Sequence, residues 1–283
     1  RLSIRDRLPQ LEVATGESGT RWIVRHLRPV NERDRATLTE LQATIKADIW
    51  VKGEGDPEPL DDSGAELNFA LPGDLRLSFT PQDFIQANAP VNRQLIDRAL
   101  DWLELRGDQR VVDLFCGLGN FTLPLATRAA DVVGVEIDEA MVARARKNAK
   151  DNQLTNARFI AADLMDEEAD WPKALRQTLR HVDAVLLDPP RAGAMTAIKR
   201  LVPALSSAVS GDAPARILYV SCNPATLARD AGFLVNAGGY RLQRLCLADM
   251  FPHTTHSEAM ALFVRGEAPT TRKAVKRRVS LAP

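Results

Sequence analysis

The chain has 283 residues, of which 45% are hydrophobic and 26% are charged, which is the balance of an ordinary globular protein and excludes a disordered, collagen-like or disulfide-stapled chain. No apolar run approaches the ~18 residues that would indicate a membrane span. Lys+Arg and Asp+Glu both number 37, so the overall charge gives no support for a nucleic-acid partner.

The first 80 residues contain short runs in which polar and apolar side chains alternate, a pattern that predicts antiparallel strands. Polar turns, among them residues 53–59, separate these runs, and residues 33–47 have helical spacing. We interpret residues 1–80 as a small α+β segment. Its predicted strands are residues 11–14, 21–25, 48–51, 66–70 and 75–79.

From residue 92 onward, apolar strands alternate with helices, which predicts a doubly wound parallel sheet covered by helices on both faces. The predicted helices are residues 92–105, 121–128, 139–152, part of 194–209, and 225–236. The predicted strands are residues 110–115, 131–136, 158–162, 182–187, 216–221, 241–247 and 259–264.

A glycine turn, Gly117-Leu-Gly119, follows the first strand of this predicted sheet and precedes a helix. Glycines at this place permit a tight turn and close approach of the backbone to a ligand. The third glycine of a dinucleotide fingerprint would fall at Thr122, so that fingerprint is not met. The ligand is a dinucleotide or S-adenosylmethionine, and the unmet fingerprint favours S-adenosylmethionine.

Three acids, Asp113, Glu136 and Asp163, stand at the predicted ligand-binding edge of the sheet. Glu136 lies 23 positions after Asp113, a distance that suits a carboxylate for ribose hydroxyls, and Asp163 is placed to reach an adenine edge. Each acid alone could be a helix cap. Their joint placement predicts a nucleoside site.

Cys222 follows the predicted buried strand 216–221, and Asn223-Pro224 is typical of the start of a helix. A helix N-terminus lowers the pKa of a nearby thiol, so we predict a nucleophilic thiolate at Cys222. The alternative is a buried, inert cysteine. Cys116 is the second candidate, because its loop reaches the same edge, whereas Cys246 is predicted to be a core residue.

Two further segments carry polar side chains to this edge. In Leu187-Asp-Pro-Pro-Arg191, the prolines would hold the Asp188 carboxylate in place for a cofactor or a substrate amide, and Arg191 suits a phosphate or a carbonyl. The alternative for this segment is a simple turn with a solvated arginine. In the loop before the last strand, Glu258, His253 or His256 could serve as a general base, whereas a histidine pair alone is a weak metal signal.

The loop Phe84-Ile-Gln-Ala-Asn88 precedes the first helix of the predicted sheet. Phe84 could stack on a base and Gln86 could hydrogen-bond one. Ordinary packing between domains is the alternative.

Together, these motifs resemble those of the RNA uracil-5-methyltransferases, most of all the branch that acts on 23S ribosomal RNA. The resemblance covers residues from about 81 to 264. The matching segments are Phe84–Asn88, Asp113–Pro124, Leu187–Arg191, Val220–Asp230 and Asp249–Glu258. The family often has Asp-Pro-Ala-Arg where this chain has Asp188-Pro-Pro-Arg191, a difference that should leave the chemistry unchanged.

The resemblance implies a Rossmann-like class I S-adenosylmethionine-dependent methyltransferase domain at residues 81–265. It implies that Cys222 is the nucleophile, which adds to C6 of uracil, and that Glu258 is the base. We assign Phe84, Arg191 and His253 to substrate binding and predict no metal site. The residues implied for the S-adenosylmethionine site are Gln86, Phe115, Gly117, Gly119, Asn120, Glu136, Asp163 and Asp188.

Members of the family also carry an N-terminal TRAM domain, which binds RNA, and a four-cysteine iron–sulfur cluster. The three cysteines here form no CxxC pair, so we expect neither feature and interpret residues 1–80 as part of the family's central domain. Residues 266–283 are basic, which predicts a disordered tail or, as the alternative, an RNA-binding arm.

We therefore expect a monomeric, cytoplasmic enzyme that methylates C5 of one uridine in 23S ribosomal RNA. Few cysteines are typical of a reducing compartment. Two alternatives stay open: the same reaction on transfer RNA, or a fragment that binds RNA or cofactor without turnover.

Overall fold

The computed structural model describes residues 2–61, 66–206 and 216–266, so the predicted tail at residues 266–283 lies almost wholly outside the described residues. The first described range forms a small four-stranded sheet with one helix across it. Its elements are a 3-10 helix at Arg5–Arg7, β1 (Gln10–Gly16), β2 (Gly19–Arg25), α1 (Glu32–Ile45), β3 (Asp48–Lys52) and β4 (Glu58–Pro59).

Local sequence explains how α1 begins and ends. The Asn31 side chain accepts a hydrogen bond from the Asp34 N–H at 2.9 Å, which satisfies one of the free donors of the first turn. Lys46 adopts the left-handed conformation that closes the helix. Leu38 of the helix packs against Ile49 of β3 in a small core of its own. The predicted turn at residues 53–59 is wrong at its end, since Glu58 and Pro59 pair with β3 as β4.

A separate hairpin, β5 (Leu67–Leu71) and β6 (Leu75–Phe79), connects this sheet to the rest of the chain. Its apolar side chains belong to the same core as those of the large sheet. Backbone N–H and C=O groups along the edge of β6 form hydrogen bonds with two asparagines at the C-terminal end of a helix in the large domain. Asn148 exchanges hydrogen bonds with Ser78, and Asn152 does so with Arg76.

The large domain is a seven-stranded sheet with the order β12-β13-β11-β10-β7-β8-β9. Six of its strands run in one direction, and one runs against them. The adjacent parallel strands are β7 (Arg110–Leu114), β8 (Asp131–Glu136), β9 (Ala157–Ala161), β10 (Ala184–Leu187) and β11 (Arg216–Ser221). The reversed strand is β13 (Glu258–Arg265), which separates β11 from the edge strand β12 (Tyr240–Ala248). The helices are α2 (Ala89–Leu103), α3 (Thr122–Ala126), α4 (Glu139–Asp151), α5 (Lys173–Leu179), α6 (Met195–Ser206) and α7 (Pro224–Asn236).

One strand near an edge departs from the predicted parallel arrangement. β13 pairs antiparallel with both β11 and β12. A parallel neighbour needs a crossover of a dozen or more residues, usually a helix, whereas the short loop at residues 249–257 joins β12 and β13 as a hairpin. Helix α5 was not predicted.

Apolar side chains of alternate strand positions enter two cores, one on each face of the sheet. In β11, Ile217 and Tyr219 belong to one core, and Leu218 and Val220 belong to the other. Each fully buried side chain of this kind contributes about 1.5–3 kcal/mol. Burial on both faces therefore stabilises the sheet. The carboxyl ends of its parallel strands lie at one edge.

Candidate active site

A cavity of about 900 Å³ opens at the carboxyl ends of the five parallel strands. Ligands of doubly wound sheets bind at this edge, and the volume is within the range of small-molecule and cofactor sites. Most residues predicted for the site line it. They are Phe84, Gln86, Phe115, Gly117, Asn120, Glu136, Asp163, Asp188, Arg191, Cys222 and Glu258.

The turn after β7 forms one wall of the cavity. Phe115 and Gly117 have positive φ angles, 65° and 55°, and both line the cavity. Gly119 (φ 96°) is buried in the turn instead, where a Cβ would lie 3.2 Å from Leu123 Cγ, and it is not among the residues that line the cavity. Its role is to let the turn close against α3.

Glu136 ends β8 and ties the turn to that strand. Its Oε2 accepts a hydrogen bond from the Gly117 N–H at 3.1 Å, and its Oε1 accepts one from the Ile137 N–H at 2.7 Å. Asp163 has a similar place after β9, where its Oδ1 accepts from the backbone N–H of Met165 at 2.8 Å. Both carboxylates are therefore oriented by the backbone while they face the cavity.

Asn120 is held by a residue that the sequence analysis did not select. Asn92, buried in α2, donates to Asn120 Oδ1 at 2.8 Å and accepts from Asn120 Nδ2 at 3.0 Å. The signal was present in the sequence, because Asn92 shares a helix face with Leu95, Ile96 and Ala99. A polar residue on an otherwise apolar stripe needs a partner when it is buried.

Asp113 was expected among the acids of the binding edge, and this expectation is wrong. It is fully buried within β7, which continues through Leu114, and it does not line the cavity. Its Oδ2 accepts from the Thr122 hydroxyl at 2.6 Å, and its Oδ1 has no partner among the described residues. Burial raises its pKa to about 8.

Cys222 lies directly after β11, before the Asn223 cap of α7, as the sequence predicted. The expected lowering of its pKa is wrong, because the pKa of this half-buried thiol is raised. Burial is the largest cause, and the carboxyl groups of Glu258 and Asp188 add to it. The Arg191 guanidinium acts in the opposite direction but does not outweigh them.

The alternative nucleophile and the third cysteine lie in different surroundings. Cys116 is buried, and its pKa is raised strongly by burial, which argues against a thiolate there. Cys246 was expected in the core, but it is only half-buried on β12.

Glu258 is the first residue of β13, only 4% exposed, and it faces the cavity. Burial raises its pKa to about 8, and the carboxyl group of Asp188 adds to the rise. The pKa of Asp188 is raised to about 7 by burial. The two carboxyl groups and the thiol thus share one poorly solvated region.

Of the two histidines, the structure brings His256 to the cavity and leaves His253 outside its lining. His253 has a φ of 65° in an exposed turn. His256 Nδ1 lies 2.9 Å from Arg191 Nη2, and its ring packs edge-on against Phe251. Phe251 also lines the cavity and was not selected from the sequence.

The described residues include neither a metal-binding cluster nor a membrane-spanning helix. No group of three or more His, Cys, Asp or Glu residues there could hold a metal ion. In the same part of the chain, no helix combines the length and apolar character that crossing a bilayer requires.

Comparisons with known proteins identify the family of this chain. A family model described as tRNA (Uracil-5-)-methyltransferase matches residues 72–265. The chain belongs to this family. The 23S rRNA (uracil(1939)-C(5))-methyltransferase RlmD of Burkholderia pseudomallei (strain 1710b) is 45% identical over 268 residues, which are 93% of this chain and 57% of that protein. The protein of the same name from Alkalilimnicola ehrlichii is 48% identical over 268 residues, 93% of this chain and 58% of that one. The chain therefore spans just over half the length of these relatives.

A solved structure confirms the fold. The tRNA (uracil-54, C5)-methyltransferase of Pyrococcus abyssi, in complex with S-adenosyl-L-homocysteine, has a TM-score of 0.66 and 26% identity, and the match covers 89% of this chain and 58% of that chain. The predicted Rossmann-like sheet of the class I methyltransferases is thus the fold of this family member.

Proposed function

We propose that this chain methylates C5 of a uridine in 23S ribosomal RNA, through a covalent bond between Cys222 and C6 of the uracil. The observation that carries the proposal is the arrangement of Cys222 and Glu258. Ser221 pairs with Ala259 in the ladder between β11 and β13, so Cys222 and Glu258 come next on either strand, and both line the cavity. The names of the two relatives specify uracil 1939 of 23S rRNA, which supports this choice of substrate.

The residues of the cavity fit S-adenosylmethionine. Among the described residues, four acids line it, Glu136, Asp163, Asp188 and Glu258, and Arg191 is the one arginine that does so. This balance suits a cationic ligand with ribose hydroxyls. S-adenosylmethionine would supply an electrophilic methyl group at this site. We propose that Gln86, Phe115, Gly117, Asn120 and the first three of these acids hold it.

The chemistry of uracil requires a nucleophile at this place. C5 of uracil is a poor nucleophile, and addition of the Cys222 thiolate to C6 moves an electron pair toward C5. Attack of C5 on the methyl group would break the bond between methyl and sulfonium sulfur and leave S-adenosylhomocysteine. Glu258 then accepts the C5 proton. The electron pair of the broken C5–H bond then restores the double bond, and the thiolate leaves C6.

The raised pKa values determine which groups carry a proton before the reaction. At neutral pH the Cys222 thiol holds its proton, and Glu258, with a pKa of about 8, is mostly neutral. A cationic ligand in the cavity lowers the pKa values of the nearby carboxyl groups, because it favours their ionised forms. Ligand binding therefore prepares Glu258 as a base. The same positive charge favours loss of the Cys222 thiol proton to solvent, which gives the thiolate that adds to C6.

Access to the cavity implies an exposed base. A uracil must leave its stack to reach Cys222, as bases do in other base-modifying enzymes, and looped RNA permits this most readily. Phe84 is 77% exposed at the cavity, which suits stacking on such a base.

Our proposal includes action as a monomer in the cytoplasm, where this RNA is found.

Transfer RNA is the second candidate substrate. The family description and the Pyrococcus abyssi structure both refer to transfer RNA. Incubation of the chain with each RNA and radiolabelled S-adenosylmethionine, followed by nuclease mapping, separates the two. Label at one uridine of 23S ribosomal RNA is expected. Label in transfer RNA alone would reassign the substrate, and cofactor binding with no label in either RNA would exclude catalysis by this chain.

The covalent step has its own test. A ribosomal RNA fragment with 5-fluorouridine at the target has no C5 proton for Glu258 to accept, so the adduct should persist and mass spectrometry should find it on Cys222. Glu258→Gln should trap the same adduct with unmodified RNA, as a slow band on denaturing gels. Attachment to another residue would exclude Cys222 as the nucleophile.

A further inference from the structure

A buried hydrogen-bond network lies behind the cavity wall, centred on the fully buried carboxylate of Asp230 in α7. Its Oδ2 accepts from the Tyr219 hydroxyl and from the Ala194 N–H, each at 2.7 Å. Its Oδ1 accepts from Arg229 Nε at 2.8 Å and lies 2.7 Å from Arg229 Nη2. None of these four residues is among those that line the cavity.

The network holds the segment that follows β10. Arg229 Nη2 donates to the Ala192 carbonyl at 2.9 Å. One residue earlier, the Arg191 carbonyl accepts from Asn223 Nδ2 at 3.2 Å and from the Thr226 hydroxyl at 3.4 Å. The first two turns of α7 therefore bind the backbone of residues 191–194.

Gly193 shows how closely the segment approaches the network. It has a φ of 81°, and a Cβ there would lie 2.6 Å from Arg229 Nη2 and 2.7 Å from Asp230 Oδ2. No side chain fits between the segment and the buried carboxylate. The network therefore requires a glycine in this backbone conformation, and the hydrogen bonds of the network hold the backbone there.

The held segment carries Arg191 into the cavity. The Arg191 guanidinium lies beside His256, and its charge favours the ionised form of Cys222. Asp188, at the other end of the segment, is fixed separately, because its backbone N–H donates to the Leu114 carbonyl at 3.2 Å. The network thus acts on the arginine end and not on the aspartate end.

We infer that Asp230 is a positioning residue, which holds the backbone of residues 191–194 and so keeps the Arg191 guanidinium beside the Cys222 thiol. The inference rests on the proposed function, because it gives Arg191 a part in the reaction of Cys222. An ionised carboxylate forms stronger hydrogen bonds than a neutral acceptor. Asp230→Asn keeps the shape of the side chain and removes the charge that orders Arg229.

The first test needs no RNA. The rate of alkylation of Cys222 by iodoacetamide is measured against pH, by mass spectrometry of its peptide, for the wild-type chain, Asp230→Asn, Arg191→Ala and the double variant. The charged groups that face Cys222 are Arg191, Glu258 and Asp188. Displacing the arginine should raise the apparent pKa of the thiol and slow alkylation at pH 7.5 by about threefold.

Each single variant should show this shift, and the double variant should show no more than Arg191→Ala does. Asn236→Ala, at the exposed far end of the same helix, is the matched control and should match the wild type. An unchanged Cys222 profile in Asp230→Asn, or additive effects in the double variant, would overturn the inference. If Asp230→Asn does not fold, Arg229→Ala replaces it in the experiment, and the same outcomes support or overturn the inference.

The second test measures methyl transfer. Asp230→Asn should lower kcat/KM for RNA by about tenfold and leave the affinity for S-adenosylhomocysteine within about twofold of the wild type. Loss of cofactor affinity to the same extent would indicate general disruption of the site and contradict positioning of Arg191. If the wild-type chain transfers no methyl group, the proposed function fails, and the alkylation profiles alone decide the inference.

Discussion

Cys222 and Glu258 extend the antiparallel ladder in which Ser221 pairs with Ala259. The two side chains come from residues far apart in the sequence, yet the register of β11 and β13 brings them to one cavity. Their proximity has an electrostatic consequence, since the Glu258 carboxyl group helps to raise the pKa of the thiol. The proposed nucleophile and the proposed base are thus held on neighbouring strands by the sheet itself.

Replacement of the nucleophile should separate chemistry from binding. We expect Cys222→Ala to lower kcat by roughly three orders of magnitude or more, because it removes the sulfur proposed to form the bond to C6. The affinity for S-adenosylhomocysteine, measured by calorimetry, should remain. Cys246→Ala, which changes a half-buried cysteine of β12 outside the cavity lining, is the matched control and should retain activity. Full turnover by Cys222→Ala would refute the assignment.

Glu258 should make the folded chain less stable as the pH rises. Its pKa is 4.5 in an unperturbed state and about 8 in the folded chain, so between these values the folded state holds a proton that the unfolded state has lost. The free energy of unfolding therefore falls with rising pH across this window. Glu258→Gln removes the effect and should raise Tm relative to the wild type by about 2–4 °C at pH 8.5.

The gain in Tm from Glu258→Gln should be smaller at pH 5, where both proteins carry an uncharged side chain at this position. Thermal unfolding at a series of pH values measures the difference. A gain in Tm that is the same at pH 5 and pH 8.5 would show that the carboxyl group titrates normally.

Cofactor binding should depend on charge. The raised pKa values of Asp188 and Glu258, about 7 and about 8, leave both largely protonated near pH 6.5. A cationic ligand gains affinity as they ionise, so we expect S-adenosylmethionine to bind about tenfold more tightly at pH 8.5 than at pH 6.5. S-adenosylhomocysteine, which lacks the sulfonium charge, should change less and is the control. Equal pH dependence of the two ligands, measured by calorimetry, would contradict this account.

Asn92 should influence cofactor binding through Asn120. Without the two hydrogen bonds from α2, the Asn120 amide is free to rotate away from the cavity, so Asn92→Ala should weaken S-adenosylhomocysteine binding by about tenfold, or about 1.4 kcal/mol. Gln94→Ala changes an exposed residue of the same helix and should bind as the wild type does. An Asn92→Ala chain that folds and binds with unchanged affinity would show that the amide pair serves packing alone.

Strong local patterns made most of the large domain predictable. The alternation of apolar strands and amphipathic helices placed the main strands correctly, and Asn223-Pro224 marked the start of α7. The edge of the sheet was predicted less well, because strand direction depends on pairing between segments and not on the pattern within each one. For the same reason, the sequence did not reveal the amide pair of Asn92 and Asn120.

The sequence by itself determined the family, the order of most helices and strands, and the edge at which the glycine turn, Cys222 and Asp188 would meet. Only the tertiary structure decided the protonation state of Cys222 at that edge. Its position at a helix N-terminus alone predicts a lowered pKa, but burial and neighbouring carboxyl groups raise the pKa. It also decided that His256 and not His253 reaches the cavity, and that Asp230 and Arg229 bind the backbone next to Arg191. Desolvation and contact between distant segments exist only in the folded chain, so these features cannot be read from local residue patterns.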